Sequence, residues 1–512
     1  MVAPPFPCGR ARPGRSFLSD AQPRHAMSKR LETRVVRAAP WAAAEALSNA
    51  VTGFASVLVA GWFLAPVDIG RAGIAISIVM LLGLISGFGI QESLVRHRSV
   101  HTSVTDTAFT GLVGIALVAV AACWILAFPV GWLFDDPQVP LLLGTMSLLL
   151  LLNAAMAVPV AILTRKMRAN VLTRRMMLAR VAQVAGIAAL GYAGLGAWAM
   201  IGGMLFSNAL SVVVLWAAMP RRPRFRFHAH EFRSLSSFGG SISLEMLLWQ
   251  GTSRAFALMV GYFHGTAALG YFQFAQRLVE EAGNLIQGNI VRFGLSFFSD
   301  LERSSRDPSR VFLAATGLIT AFGGPMFIGL LLVAPDLVPL VFGAKWVPAA
   351  PLVQIFAATW FFLLSRALVG PLLRAKGRQN ILVLYAFVAC VITLTSGLVT
   401  AQMPLVLVVL GWASRNLVSL PWSYLMVGRY GGIPAAQQLR AVVRPLLPMV
   451  LMAIFVIATQ ILLRDAGTGA RLAASIVVGL LVAAVSMRVF NWDLIAPLRS
   501  MIGRARQQGR NA

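Results

Sequence analysis

The sequence predicts an all-α integral membrane protein with about fourteen transmembrane helices. Of its 512 residues, 58% are hydrophobic and only 12% are charged, whereas a soluble domain carries about 25% charged residues. Segments such as residues 141–152 and 381–399 are almost continuously apolar rather than alternating. Because backbone amides in hydrocarbon need internal partners, such runs favour membrane-crossing helices over barrel strands.

The predicted spans each have the length that a hydrocarbon core of about 30 Å requires. They lie at about 41–64, 72–94, 107–128, 139–163, 176–193, 196–219, 237–263, 268–292, 311–334, 349–373, 380–399, 404–426, 445–463 and 471–489. The fifth and sixth spans are the weakest, because only a turn at residues 194–196 separates them.

Basic residues alternate between successive connections. Every second connection is basic, with Arg and Lys grouped near residues 96–98, 165–175, 221–233, 292–310, 374–378 and 429–444. The intervening connections hold little beyond Arg71, Lys345, Arg464 and Arg471. The positive-inside rule therefore predicts that both termini are cytoplasmic. The same topology accounts for a net charge of +26 without nucleic acid as a partner.

The chain divides into a predicted arm, two lobes and a C-terminal pair of helices. Residues 1–37 are basic and rich in Pro and Arg, and they lack the apolar core of a signal peptide. We expect a disordered cytoplasmic arm, with either Met1 or Met27 as the start. The remaining boundaries are an N-lobe of six spans (38–219), a basic cytoplasmic linker (220–236), a C-lobe of six spans (237–426), two appended spans (427–489) and a cytoplasmic tail (490–512).

An internal repeat underlies the two lobes. A shift of 200 residues aligns Glu45 with Glu245 and Gly70 with Gly270. The copies begin an even number of spans apart, so they share one orientation and are related by an axis along the membrane normal. Transporters of this design bind cargo between their halves. We therefore predict two pseudo-symmetric six-helix lobes around a central lumen.

Polar residues on the eighth predicted span form one stripe. Gln273, Arg277, Glu280, Glu281 and Asn284 fall on the same helical face, and Gly288 continues it. A charge at the bilayer centre costs at least about 2.5–3.5 kcal/mol, so each should face a cavity or a partner. The stripe is either the wall of a water-filled lumen or a local pairing of Arg277 with the glutamates at i+3 and i+4.

Other deep charges extend the set of candidate site residues. The substrate-binding candidates are Arg277, Arg254, Arg415, Arg366, Gln273 and Asn284, and the ion-coupling candidates are Glu280, Glu281, Glu45 and Glu245. Guanidinium groups pair bidentately with phosphate, so this set suits an anionic cargo. Two alternatives stay open: Glu45 and Glu245 are solvated at the helix ends, and Arg366 extends to the membrane surface.

No enzyme signature accompanies these residues. The sequence contains no Walker A loop, no dinucleotide fingerprint and no His/Cys cluster with metal spacing. Its three cysteines are far apart, so no disulfide framework is predicted. We expect a transporter without a cofactor or metal, driven by an ion gradient, the membrane potential or the cargo gradient.

Four segments resemble the bacterial polysaccharide transporter family, the O-antigen and exopolysaccharide flippases within the superfamily of multidrug, oligosaccharidyl-lipid and polysaccharide exporters. The segments are residues 63–71, 87–92, 269–278 and 340–348. The resemblance covers about residues 40–490 and places Arg277 inside a matched segment. It implies a flippase that moves undecaprenyl-pyrophosphate-linked oligosaccharide across the bacterial inner membrane by alternating access, with the pyrophosphate and sugars in a cationic lumen. Membrane lipid and polysaccharide polymerase or assembly proteins are the further expected partners.

Two other functions remain as alternatives. A cation-coupled multidrug or small-molecule antiporter would use the same scaffold, and acidic residues deep in the first lobe would favour it. The sequence offers only Glu45 there, with Glu92 at the edge of the span. A non-transporting scaffold for polysaccharide assembly has no need for a long polar stripe inside lipid.

Overall fold

The computed structural model describes residues 51–86, 90–96, 101–219, 221–236, 240–303 and 307–490. These residues form helices and short connections, and no strand occurs among them. The all-helical prediction is thereby confirmed for these ranges. The predicted arm, Glu45 and residues 491–512 of the tail lie outside the described residues.

The helices follow one another with few residues between them. In chain order they are α1 (Val51–Phe63), α2 (Pro66–Ser86), α3 (Ile90–Arg96), α4 (Thr102–Leu133), α5 (Val139–Met146), α6 (Leu148–Arg165), α7 (Ala169–Tyr192), α8 (Ala197–Ala217), α9 (Ala229–Ser236), α10 (Gly240–Arg303), α11 (Ser309–Phe342), α12 (Ala350–Ser365), α13 (Val369–Ala375), α14 (Gln379–Val399), α15 (Leu405–Met426), α16 (Ala435–Val443), α17 (Leu446–Leu462) and α18 (Thr468–Phe490). A 3-10 helix (Ala344–Ala349) precedes α12, and a π-helical turn (Val427–Gly431) follows α15.

Eleven helical stretches in the described ranges are long and apolar enough to cross a membrane, so the chain is a multi-pass membrane protein. The eleven do not include α1, which is short within the described residues, or α7, which carries Arg174, Arg175 and Arg180. Leu244–Ile286 is one of the eleven, although it extends over two predicted spans. The total of fourteen stays a prediction.

Helix α10 is a hairpin rather than one long rod. Its backbone leaves helical geometry at Gly265, where φ is 84° and ψ is 172°. The rings of Phe256 and Phe272 lie only 5.7 Å apart, whereas a continuous helix would separate those residues by about 24 Å. Residues 240–264 (α10a) and 266–303 (α10b) are therefore antiparallel helices.

Helices α2 and α10b cross at two glycines. A methyl group on Gly70 would overlap the carbonyl oxygen of Thr266, and one on Gly270 would overlap the carbonyl oxygen of Pro66. The two contacts exchange under the 200-residue shift that defines the repeat, because Pro66 aligns with Thr266 and Gly70 with Gly270. Only glycine permits backbones to approach this closely.

Connections that the topology predicts on one side contact each other. Arg71, near the beginning of α2, pairs with Asp136 at 2.6 Å, and both lie in predicted outer regions. Glu302 and Lys376 lie 3.9 Å apart, and both belong to predicted cytoplasmic regions. These pairings agree with the alternation of the connections.

The 3-10 helix packs over the end of α1. The Trp346 indole nitrogen donates to the Gly61 carbonyl at 2.9 Å. The Lys345 ammonium donates to the carbonyls of Trp62 and Leu64 at 2.9 and 3.0 Å. These carbonyls end the helix without intrahelical partners, so the lysine caps its negative end.

The linker after α8 is held on α4. Glu231 of α9 accepts hydrogen bonds from Ser103 at 2.7 Å and from Thr107 at 3.0 Å. The hydrogen bond from Ser103 is the main cause of the lowered pKa of the Glu231 carboxyl. Asp106, which is buried, accepts the backbone N–H of Arg224 at 3.0 Å. Polar side chains from the first turns of α4 thus fix the linker.

The last two helices pack on α11. The Arg471 guanidinium of α18 forms an ion pair with Asp336 of α11. The Gln460 amide of α17 donates to the Leu332 carbonyl at 3.1 Å. The predicted appended pair therefore makes polar contacts near the C-terminal end of α11.

Candidate functional site

A central cavity of about 500 Å³ lies between two groups of helices. One group comprises α1, α2, α7 and α8, and the other comprises α10a, α10b, α12 and α15. Its polar and charged lining residues are Gln183, Gln250, Ser253, Arg254, Gln273, Gln276, Arg277, Glu280, Glu281, Thr359 and Arg415. Three guanidinium groups and two carboxylates therefore meet in one cavity within the apolar helices.

The stripe on α10b faces this cavity over most of its predicted length. Gln273, Arg277, Glu280 and Glu281 all line it. Asn284, one turn further along, is exposed and is not among the lining residues. The structure thus brings Gln273, Arg277, Glu280 and Glu281 of the predicted stripe to the cavity wall.

Arg277 contacts the other group of helices. One of its terminal nitrogens donates to the Ser56 hydroxyl of α1 at 2.8 Å. Within the described ranges it forms no ion pair with Glu280 or Glu281 within 4 Å. The local pairing that the i+3 and i+4 spacing allowed is therefore not the arrangement observed here. Instead, the arginine joins α10b to α1 across the cavity.

The two glutamates have different surroundings. Glu280 accepts a hydrogen bond from the Gln276 amide at 2.7 Å, and the same amide lies 3.4 Å from the Ser253 hydroxyl of α10a. The Glu281 carboxylate packs against Gly53 of α1, where a methyl group would overlap it. One carboxylate is held between the hairpin arms, and the other faces α1.

Arg254 lies on the other arm of the hairpin. It lines the cavity and is half-buried. No hydrogen bond or ion pair of its side chain occurs in the part of the chain that the structure describes. Its donors are therefore available to a ligand.

Arg415 lies flat on an aromatic surface. Its guanidinium carbon is 3.8 Å from the Trp412 ring centroid and 5.9 Å from that of Trp249. The residue is buried, and its Nε atom has no hydrogen-bond partner among the described residues. Stacking leaves the planar fork of donors free at its edge, where a phosphate oxygen can bind.

Arg366 and Glu245 do not line the central cavity. They line a second cavity of about 150 Å³, which shares Trp249 with the first. Arg366 donates to Ser419 at 3.2 Å and to Asn416 at 3.3 Å, and it lies 5.2 Å from the Tyr385 ring. Its partners are therefore protein groups rather than the membrane surface.

Glu245 is bound by neighbouring side chains. Arg374 donates to its two carboxylate oxygens at 2.8 and 3.0 Å, and Gln379 donates at 2.6 Å. Only 7% of its surface is exposed. Two donor nitrogens thus make three hydrogen bonds to this carboxylate, which forms an ion pair with Arg374 apart from Glu280 and Glu281.

Sequence reasoning missed several lining residues. Gln183 of α7 and Gln276 of α10b contribute amides to the cavity. Gln276 lies three residues after Gln273, so the helical period alone could have found it. Gln183 belongs to the weakest predicted span, and its polarity was the available signal.

The two groups of helices contribute unequally. In the first group, Gln183 is the one polar lining residue within the described ranges, and Met80, Met200 and Met204 line the rest with other apolar residues. All the charged lining residues come from α10a, α10b and α15. The described part of the chain contains no group of three His, Cys, Asp or Glu residues placed to hold a metal ion.

Comparison with known proteins gives a family and a fold. A family model described as "Polysaccharide biosynthesis protein" matches residues 59–351, which is more than half of the chain. The succinoglycan biosynthesis transport protein ExoT of Rhizobium meliloti (strain 1021) is 23% identical over 413 residues, which cover 79% of this chain and 82% of ExoT.

Two solved structures share the fold. The lipid II flippase MurJ in an inward closed conformation superposes with a TM-score of 0.73 at 13% identity, covering 88% of this chain and 98% of MurJ. An inward-facing multidrug resistance transporter of the MATE family superposes with a TM-score of 0.59 at 14% identity, covering 76% of this chain and 99% of the transporter. At these identities the likeness establishes a transporter fold and nothing about the cargo.

Proposed function

The chain belongs to the polysaccharide biosynthesis protein family, and on that premise we propose that it flips a lipid-linked oligosaccharide across a membrane. The finer assignment is an undecaprenyl-pyrophosphate-linked repeat unit, carried across the bacterial inner membrane for a surface or secreted polysaccharide. The name of ExoT, a transport protein of succinoglycan biosynthesis, supports this class of cargo.

The observation that carries the proposal is the charged central cavity. Arg254, Arg277 and Arg415 line one cavity between apolar helices. Burying such groups is costly unless they meet a cavity or a partner. Guanidinium forks bind phosphate oxygens in a bidentate manner, so a pyrophosphate supplies the missing partner.

The size of the cavity fits the head of such a cargo. A volume of about 500 Å³ is typical of a site for a small molecule. In this conformation it would accept a pyrophosphate with part of its sugar, while the polyprenyl chain stays in lipid. Trp249, Trp360 and Trp412 line the same space and offer apolar faces to sugar rings.

Alternating access provides the cycle. We place the two lobes around the cavity, the basic connections and both termini in the cytoplasm, and the contact of Lys345 and Trp346 with α1 on the outer side. That contact would open when cargo leaves outward. Glu280 and Glu281 are the proposed site of a coupling cation, because both carboxylates lie beside the arginines that would hold the cargo.

Reconstitution tests the proposal. The full chain is placed in vesicles with a fluorescent undecaprenyl-pyrophosphate oligosaccharide, and a membrane-impermeant lectin reports label on each face. We expect the protein to accelerate exchange between the leaflets. A rate equal to that of protein-free vesicles would reject the proposal. In a strain without a paralogue, deletion should trap repeat units on the cytoplasmic side and abolish the polysaccharide.

A cation-coupled antiporter is the second candidate, and the carboxylates Glu280 and Glu281 in the cavity favour it. The weakness of this candidate lies in the first group of helices, whose described lining residues include no acidic side chain. Drug susceptibility separates the two functions. An antiporter would raise resistance to cationic dyes when overproduced, and a flippase would leave resistance unchanged.

A further inference from the structure

A third cavity, of about 270 Å³, lies away from the central one, at the end of the helices where the linker docks. Three segments form it: the beginning of α4, the end of α6 and the chain that follows α8. Its lining includes the basic residues Arg165, Lys166, Arg221 and Arg222. It shares no lining residue with the central cavity.

The charge of this cavity is strongly positive. Asp106 is the single carboxylate among its lining residues. One oxygen of Asp106 accepts the Arg224 backbone N–H, and the other lies 3.9 Å from Arg221. Lys166 and Arg222 are exposed, and neither forms a hydrogen bond or ion pair of its side chain within the described ranges. Two cations thus face the cavity with no protein anion on them.

The beginning of α4 adds backbone donors. This helix has 32 residues, and its N-cap residue His101 makes no side-chain capping hydrogen bond. The first N–H groups of a helix have no intrahelical partner and carry its positive end, which favours a bound anion. His101, Thr102 and Thr105 all line the cavity. The Ser103 hydroxyl, on another face of α4, is occupied by Glu231, which does not line it.

The cavity also has an apolar side. Ile162 and Met219 line it at the ends of two apolar helices, α6 and α8. A free anion in water would gain nothing from these side chains. A lipid whose acyl chains lie along the helices would place its head group beside the four basic residues.

We propose that this cavity binds the phosphate of an anionic phospholipid in the leaflet next to the linker. Basic pockets between membrane helices on the cytoplasmic side recognise such head groups. The bound lipid would bridge α4, α6 and the linker, which joins the two predicted lobes. This inference goes beyond the flipping of an oligosaccharide and does not depend on it.

Native mass spectrometry of the full-length protein in neutral detergent tests the proposal, with phosphatidylglycerol titrated as the probe and phosphatidylcholine as the neutral comparison. The test variant is Lys166→Gln with Arg222→Gln. The matched control is Arg174→Gln with Arg440→Gln, which removes the same charge from exposed positions outside the cavity. We expect the test variant to lose roughly thirtyfold in affinity for phosphatidylglycerol, from two basic side chains near the surface.

Three outcomes decide the matter. The lipid site is supported if only the test variant loses affinity for phosphatidylglycerol and if inorganic phosphate does not displace this lipid from the unsubstituted protein. Displacement by inorganic phosphate, together with binding of phosphate alone, would show a site for free phosphate and overturn the proposal. Equal affinities in the test and control variants would also overturn it. Elution volume on gel filtration verifies that each variant is folded, and neither readout requires transport.

Discussion

Gly70 of α2 and Gly270 of α10b lie side by side where the two helices cross. Each glycine faces a backbone carbonyl of the other helix, so neither position has room for a side chain. The residues are 200 positions apart, which is also the offset of the internal repeat. The crossing therefore joins positions that the 200-residue shift aligns. Each helix places a glycine against a backbone carbonyl of the other, so the crossing is constrained from both sides.

Substitution at this crossing should destabilise the protein. Gly70→Ala places a methyl group on the Thr266 carbonyl, and relief requires the helices to separate, at a cost of about 1–3 kcal/mol. The measurement is thermal unfolding in detergent, followed by gel filtration with fluorescence detection. Gly114→Ala is the control, since nothing lies within 4 Å of its added methyl group. A Gly70→Ala protein as stable as this control would contradict the close approach.

Removing the Arg277 side chain should impair transport more than folding. Arg277→Ala deletes the cation and its hydrogen bond to Ser56. Under the proposed function the cargo also loses a charge-assisted hydrogen bond, so we expect the flipping rate to fall roughly ten- to a hundredfold. Arg277→Lys keeps the charge without the planar fork and should be intermediate. Flipping in vesicles is measured beside the control Arg440→Ala. Wild-type rates in Arg277→Ala would remove the residue from the site.

The Lys345 cap on α1 should help to close the outer side. Lys345→Gln loses the ammonium that binds the Trp62 and Leu64 carbonyls, so an outward-open state should be about two- to fivefold more populated. A single cysteine at Gln273, in a chain whose three cysteines are replaced, reports labelling by an impermeant maleimide from outside. Arg464→Gln removes an equal charge from an exposed outer position. Equal labelling of the two variants would show that the cap does not hold this side closed.

Glu280 and Glu245 should differ in function, the first in ion coupling and the second in stability. Glu280→Gln removes a carboxylate from the central cavity, so flipping should no longer respond to an imposed proton or sodium gradient. Glu245→Gln instead weakens the ion pair with Arg374, and we expect a loss of stability of about 1–2 kcal/mol with the gradient response intact. Flipping rates with and without a gradient, and unfolding curves, distinguish the two. A gradient response lost in Glu245→Gln and kept in Glu280→Gln would reverse the assignment.

The periodicity of the apolar spans and the positions of the basic connections were enough to predict the helical membrane fold. The stripe on α10b was equally readable, because residues 273, 277, 280 and 281 share one face whatever the neighbours are. Asn284 continues that face but lies outside the cavity. This could not be predicted, because the sequence does not show where the cavity ends.

The distinction between Arg415 and Arg366 could not be predicted. Arg415 lies on the apolar helix α15 and Arg366 directly follows α12. The environment of each depends on which helix packs opposite. Trp249 of α10a contributes to the aromatic surface near Arg415, and α15 supplies Asn416 and Ser419 to Arg366. Likewise, the sequence shows no partner for Glu245 close to it in the chain. Arg374 and Gln379 reach it only because α13 and α14 pack against α10a.

The reversal at Gly265 has a consequence for release of the cargo. Both arms of that hairpin carry ligand-facing groups, with Arg254 on one and Arg277, Glu280 and Glu281 on the other. The bridge from Ser253 through Gln276 to Glu280 ties the arms together. We therefore expect these charges to move together when the surrounding helices rearrange. Under the proposed function, separation of the hairpin from Ser56 on one side and from Arg415 on the other would weaken the binding of the cargo.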